Sequence, residues 1–251
     1  MSATGLMKNR RPSLLLPALA MGVTIAAAVL LIIAGFGSRL GWWHFRTGFT
    51  LLTYGAYGGI GAATLACLSV IPAIRKHGTA GIVLSTLALL GGLTVVAVPV
   101  SWRLQAGQLP MIHDITTDTV NPPQFVNILP LRSGAPNPAD YGGPAVAQQQ
   151  KSAYPDLRTE ALSIPPLRAF ERALAAARAS GWRIVASDPT SGRIEASDTT
   201  FWFGFVDDIV IRIAGADGHS LVDVRSVSRV GKSDVGTNAK RIRNYLHRLR
   251  S

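Results

Sequence analysis

Three apolar runs, at about Ser13–Gly37, Phe49–Ile74 and Thr79–Val100, contain no Asp, Glu, Lys, Arg or His. Each exceeds the roughly 20 residues that a helix needs to cross bilayer hydrocarbon. In lipid the backbone must satisfy its own polar groups, and for runs of this length a helix is the way to do so. The first 103 residues are therefore expected to form a bundle of three transmembrane helices. The first run follows the basic segment Lys8–Arg11, as a signal peptide would. It is too long for a signal core and two more spans follow it, so an uncleaved anchor is expected.

The absence of acids and histidines inside the runs gives no support to ion-coupled transport, since such residues mark conducting pathways. What the runs do carry is small residues four apart: Gly55 and Gly59, Gly58 and Ala62, Ala88 and Gly92. That spacing predicts close helix packing, and Gly55 with Gly59 also offers a homo-oligomer interface.

Net charge enters at this point. The chain carries 25 Lys and Arg against 14 Asp and Glu, a formal +11 that would suit nucleic acid. Eight of those cations (Lys8, Arg10, Arg11, Arg39, Arg46, Arg75, Lys76 and Arg103) lie in residues 1–103, which hold no acid. Residues 104–251 set seventeen cations against fourteen acids, a net of only +3. Most of the excess thus flanks the spans, where it sets topology. Lys8, Arg10, Arg11, Arg75 and Lys76 fall on one side, and Trp42, Trp43, Phe45 and Trp102 form an aromatic belt on the other. A multi-pass inner-membrane protein with a cytoplasmic N-terminus and a periplasmic C-terminal domain is the expectation. Nucleic acid is not an expected partner. The single cysteine, Cys67, lies in an apolar run and allows neither a disulfide nor a thiolate metal site.

Past the spans, residues 104–166 read as a connection with nine prolines between Pro122 and Pro166. Its Phe125, Val126, Ile128, Leu129, Leu131 and Tyr141 are too apolar for a disordered tether. An ordered coil wrapping the domain is expected, without helix or central strand. The core is expected over 158–251. Arg158–Ile164 reads as a strand, and Pro165-Pro166 opens a helix with Leu167, Phe170, Leu174 and Ala177 on one stripe. Hairpins follow: Trp182–Ser187 with Arg193–Ser197, and Phe205–Ala214 with Ser220–Val227. Val235, Ala239, Ile242, Leu246 and Leu249 stripe a last helix. This order predicts an α+β fold, a two-layer domain with an antiparallel sheet of about five strands and helices on one face. Alternation turns Ile209, Ile211, Ile213, Val222 and Val224 to the helices, and Arg193, Glu195, Arg212, Asp223 and Arg225 to a solvated face.

Several motifs recur in an ordered set: His113-Asp-Ile-Thr-Thr-Asp118 with Pro122-Pro123, Tyr154-Pro-Asp-Leu157, Ile194-Glu-Ala196, and Asp223-Val-Arg-Ser-Val-Ser-Arg-Val-Gly231 with Ser233-Asp234 and Asn238-Ala239. Over about residues 111–250 the chain resembles the family called domain of unknown function 1499. The resemblance implies a bacterial envelope protein and carries no catalytic assignment.

Two candidate sites follow from the residues. Arg225 and Arg229 share a strand face, Lys232 lies in the next turn, and a helix starts near Asp234 and Asn238, so free N–H groups and arginine forks could hold an anion. The same residues read equally as a capped helix start, with Asp234 or Ser233 as N-cap and Arg225 paired to an acid. The alternative set is His113, Asp114, Asp118, Asp207 and Asp208, which would suit a small metal-assisted hydrolase. No HxxxH or HExxH spacing, G-x-S-x-G, P-loop or dinucleotide-binding glycine pattern accompanies them. The pattern calls for no cofactor. The anion at Arg225, Arg229 and Lys232 would be a phospholipid head group, a glycan acid or an envelope partner's carboxylate. The basic face of the last helix (Lys240, Arg241, Arg243, His247, Arg248 and Arg250) could suit nucleic acid by charge but, outside the cytoplasm, suits an anionic lipid surface.

Overall fold

The computed structural model describes residues 14–75, 78–216 and 218–251. Lys8, Arg10, Arg11 and Lys76, on which the topology expectation rests, lie outside them. The chain divides into two compact units, Met1–Arg103 and Leu104–Ser251.

In the first unit α1 (Leu15–Arg39), α2 (Phe45–Arg75) and α3 (Thr79–Gln108) are each long and apolar enough to cross a membrane. Their packing is inverted relative to a water-soluble bundle. Ala20, Ala27, Ala62, Ala66 and Ala88 are buried, while Leu19, Ile25, Ile32, Ile60, Leu68, Leu87 and Leu90 point outward. Between helices lipid offers no hydrophobic drive, so close van der Waals approach and hydrogen bonds must hold them. A Cβ on Gly59 would stand 2.8 Å from the Gly92 carbonyl, and one on Gly55 would meet α1 at the Ala27 carbonyl. Both glycines are thus spent inside one bundle. Thr24 donates to the Ala88 carbonyl at 3.1 Å, and the Ser69 and Ser85 hydroxyls meet at 2.7 Å.

The second unit is built on a six-stranded antiparallel sheet. Its strands are β1 (Asp114–Thr116), β2 (Glu160–Leu162), β3 (Arg183–Asp188), β4 (Arg193–Thr199), β5 (Val206–Ala216) and β6 (His219–Ser228). Their order is β1-β6-β5-β4-β3, and β2 also pairs with β6. The outer edge of β6 is therefore covered twice, by β1 over Arg225–Val227 and by β2 over Ser220–Val222. Exposed strand edges invite unwanted pairing, and β1 is closed in turn by a side chain. Gln150, on α4 (Gly143–Ala153), receives the Thr116 N–H at 2.9 Å and donates to its carbonyl at 2.6 Å.

Helices α5 (Pro166–Ala179) and α6 (Thr237–Arg250) cover one sheet face. Phe170, Ala173, Ala177, Ile242, Leu246 and Leu249 pack there on Ile194, Ile209, Ile211, Ile213, Val222 and Val224. Tyr245 stacks on Trp182 at 5.0 Å and donates to the Ala173 carbonyl. The α+β class, the antiparallel sheet and the membrane-spanning helices agree with the sequence, with one strand more than expected.

Four details differ. The segment before α5 contains strand β1 and helix α4, whose Pro144 sits in the first turn where its missing N–H costs nothing. Leu167 is exposed, and Ala169 and Ala173 take the buried stripe of α5. Val235 lies outside α6, at φ 51°. The second sheet face is not solvated: Phe125 and Ile128, on the arch between β1 and α4, pack on Val210 and Val227 and seal it.

Candidate functional site

Beneath that arch lies a layer of arginine–carboxylate pairs. The odd-numbered positions of β6 present Asp223 and Arg225 away from the helices, and the arch closes over them. The Arg225 guanidinium is 0% exposed and grips Asp114 with two bonds, Nε to Oδ1 at 2.9 Å and Nη2 to Oδ2 at 2.8 Å. Its remaining donors reach the arch carbonyls of Pro123 and Ala139, and its plane lies between the Phe125 and Tyr141 rings at 5.2 and 5.5 Å. Burial pushes the Asp114 carboxyl above its ordinary value, against the pull of Arg225. Burial likewise pushes the Tyr141 hydroxyl up to about 12, with the Asp114 charge adding to it.

The other acids are held in the same way. Arg229 binds Asp208 through two bonds at 2.9 Å, and Arg132 adds a third at 2.6 Å. Arg212 joins Asp223 at 2.7 Å to Asp118 at 2.9 Å. Burial raises the Asp118 carboxyl, but the N–H groups of Asn121 and Val120 and then Arg212 outweigh it and leave it below its ordinary value. Glu195, also fully buried, accepts the consecutive N–H groups of Val126, Asn127 and Ile128 at 2.8–3.1 Å. It thus fixes the bend of the arch. On the helix side Arg241 bridges Asp207 at 2.6 Å and Asp198 at 2.9 Å.

Asp234 accepts the N–H groups of Gly236 and Asn238 at 2.9 and 2.8 Å, which occupies the start of α6. Asn238 is buried and stitches α6 to the sheet: its amide donates to the His113 carbonyl and Ser228 Oγ, and its oxygen accepts from Ser226 Oγ and Arg241. Of the expected anion set, Arg225, Arg229, Asp234 and Asn238 are committed to intramolecular partners, and only Lys232 is exposed without one among the described residues. The alternative set is dispersed, since Asp114, Asp118, Asp207 and Asp208 each serve a different arginine. His113 accepts from Ser228 and Asn238 through its carbonyl, and its ring acts on the neighbouring Asp114 only as a nearby charge. Among the described residues no three His, Cys, Asp or Glu side chains come together as a metal site.

With that geometry in hand, the motifs point to a family. The profile described as "Protein of unknown function (DUF1499)" matches residues 114–249, more than half of the chain. The chain belongs to the DUF1499 family. No curated protein matches it. Within the matched span Asp114, Thr117, Asp118, Glu195, Asp223, Arg225, Arg229, Asp234 and Asn238 tie the arch and α6 to the sheet.

A different feature of this DUF1499 domain opens to solvent. Ser180, Trp182, Asp198, Thr237, Lys240, Arg241, Asn244 and Arg248 line a cleft of about 230 Å³ along the outer side of α6. Lys240, Asn244 and Arg248 lie four residues apart and so share one helix face. Arg243 and Arg250 of the same helix are taken by Asp156 and Glu160. Lys240 and Arg248 have no side-chain partner among the described residues. Sequence reasoning had named them with the basic face, but could not separate the paired cations from the unpaired ones. Ser180 and Trp182, which come from the end of α5, gave no signal.

Proposed function

We propose that this membrane protein presents an extracytoplasmic DUF1499 domain that binds an anionic group, without catalysis, in the α6 cleft. The carrying observation is the pair Lys240 and Arg248, unpartnered on either side of Asn244 while Arg241 is neutralised by Asp198 and Asp207. The ligand is then held by Lys240, Asn244, Arg248 and Thr237 rather than by Arg225, Arg229, Lys232, Asp234 and Asn238. A cleft of this size suits one phosphate or carboxylate group, as found on a phospholipid head, a glycan acid or a partner protein. Aromatic and cationic flanks of the spans support placing the domain on the periplasmic side of an inner membrane. A homo-oligomer through Gly55 and Gly59 gains no support, because both pack within the bundle.

The test is calorimetric titration of the full-length protein in neutral detergent with glycerol phosphate and with glucuronate at low ionic strength. Binding of either, lost in Lys240→Gln/Arg248→Gln and kept in Lys232→Gln, supports the cleft. Preference between the two ligands separates lipid-like from glycan-like sources. Undiminished binding in the double variant overturns the assignment.

A further inference from the structure

The hairpin joining β4 to β5 reads Thr200-Phe201-Trp202-Phe203-Gly204-Phe205, four aromatics in six residues at a position where turn residues are the rule. It is a built loop. The Thr200 N–H donates to the Phe205 carbonyl at 2.8 Å, the Thr200 carbonyl accepts the Gly204 N–H at 3.1 Å, the Thr200 hydroxyl accepts the Phe205 N–H at 2.9 Å, and Gly204 turns at φ 71°. Phe203 is buried and stacks on Phe205 at 5.4 Å, with Trp202 edge-on to it at 5.3 Å. On this platform Phe201 stands 77% exposed.

Its location within the unit gives the loop a partner. The Arg229 N–H donates to the carbonyl of Val206, the first residue after the loop, and the neighbouring Ser228 N–H donates to His113. Ser233 and Asp234 bond the carbonyls of Pro110 and Ile112. The chain therefore enters the unit at the same end of the sheet as the aromatic tip, two strand spacings away, about 10 Å. Leu109 is only seven residues along the chain from Trp102, which follows the third apolar run, so the chain enters the unit within a short reach of the bilayer. The exposed Lys232 lies at this end too, with the sign that anionic head groups attract. The opposite end carries the Asp188–Gly192 turn and Gly218, which are polar.

We infer that the 200–205 hairpin is a lipid-interface anchor: Phe201 and Trp202 insert at the head-group level of the bilayer that holds the spans. Trp, whose ring has a polar edge, collects at that level, and a Phe ring beside it adds apolar area that partitions to the boundary between head groups and acyl chains. The inference is independent of the α6 cleft.

The test uses the full-length protein in vesicles of phosphatidylcholine and phosphatidylglycerol. In a Cys67→Ser background, Thr199→Cys places a nitroxide beside the intact rings, and Thr190→Cys places one at the opposite end; both positions are exposed. The label at residue 199 is expected to collide with oxygen and to be several-fold less accessible to a water-soluble nickel chelate than the label at 190. Equal chelate access at the two positions overturns the inference. Adding Phe201→Ser and Trp202→Ser is expected to raise chelate access at 199 to the level at 190. A label that stays shielded in that variant overturns the assignment to these two rings.

Discussion

Arg225 shows what the buried layer costs and what it gives. A guanidinium removed from water needs its charge balanced and its donors satisfied; Asp114 balances the charge and, with the Pro123 and Ala139 carbonyls, accepts four of its hydrogen bonds. Because Asp114 starts β1 and the two carbonyls belong to the arch, the same five-donor head fixes strand edge and arch together. Removing one partner of such a pair leaves the other charged and uncompensated, at a cost of about 3–5 kcal/mol. Asp114→Asn is therefore expected to lower the thermal midpoint of the detergent-solubilised protein sharply, whereas Glu171→Gln, in an exposed pair with Arg168, leaves it nearly unchanged. Equal midpoints for the two variants would show that the layer is not under tension of this kind. Substituting Arg225 thus probes stability, not ligand capture. The sequence made the parity of Arg225 and Asp223 readable, since strand alternation is local. It did not reveal that the face was covered, because the partners lie about a hundred residues upstream and no local pattern joins them.

At the scale of elements, α6 carries two loads. Its inner stripe of Ala239, Ile242, Leu246 and Leu249 closes the core, and its outer face lines the cleft. Leu246→Asp would place an unpaired carboxylate among apolar side chains and is expected to cost several kcal/mol, read as a collapse of the unfolding midpoint. A midpoint unchanged by that substitution would mean the helix is not docked. The stripe was legible because 3.6-residue periodicity survives in a single segment. The start of the helix was not, because Val235 extends the periodicity into a turn that Asp234 and Gly236 actually make. Nor was α4, whose few apolar residues are overshadowed by its one proline and three glutamines; its role in closing β1 depends on Gln150, a residue with no periodic signature.

At the scale of the whole molecule the two units follow opposite solvation rules. The bundle buries alanine, glycine and serine and turns its large side chains outward, while the second unit buries its large side chains and pairs its charges. A chain of this kind is stable only if the first unit is in lipid and the second in water, so the side on which the second unit emerges decides which ligands it can meet. Under the proposed topology the cation bias of residues 1–11 and 75–76 keeps those flanks on the cytoplasmic side, and the three candidate spans among the described residues then deliver the second unit to the other side. Alkaline phosphatase fused after Ser251 should then be active, since that enzyme matures only outside the cytoplasm, and a fusion at His77 should be inactive. With that outcome Lys240 and Arg248 face envelope lipids, glycans and proteins. The reverse pattern would place the same cations in the cytoplasm, where nucleic acid becomes a competing partner for the α6 face, and the extracytoplasmic reading would fall with it.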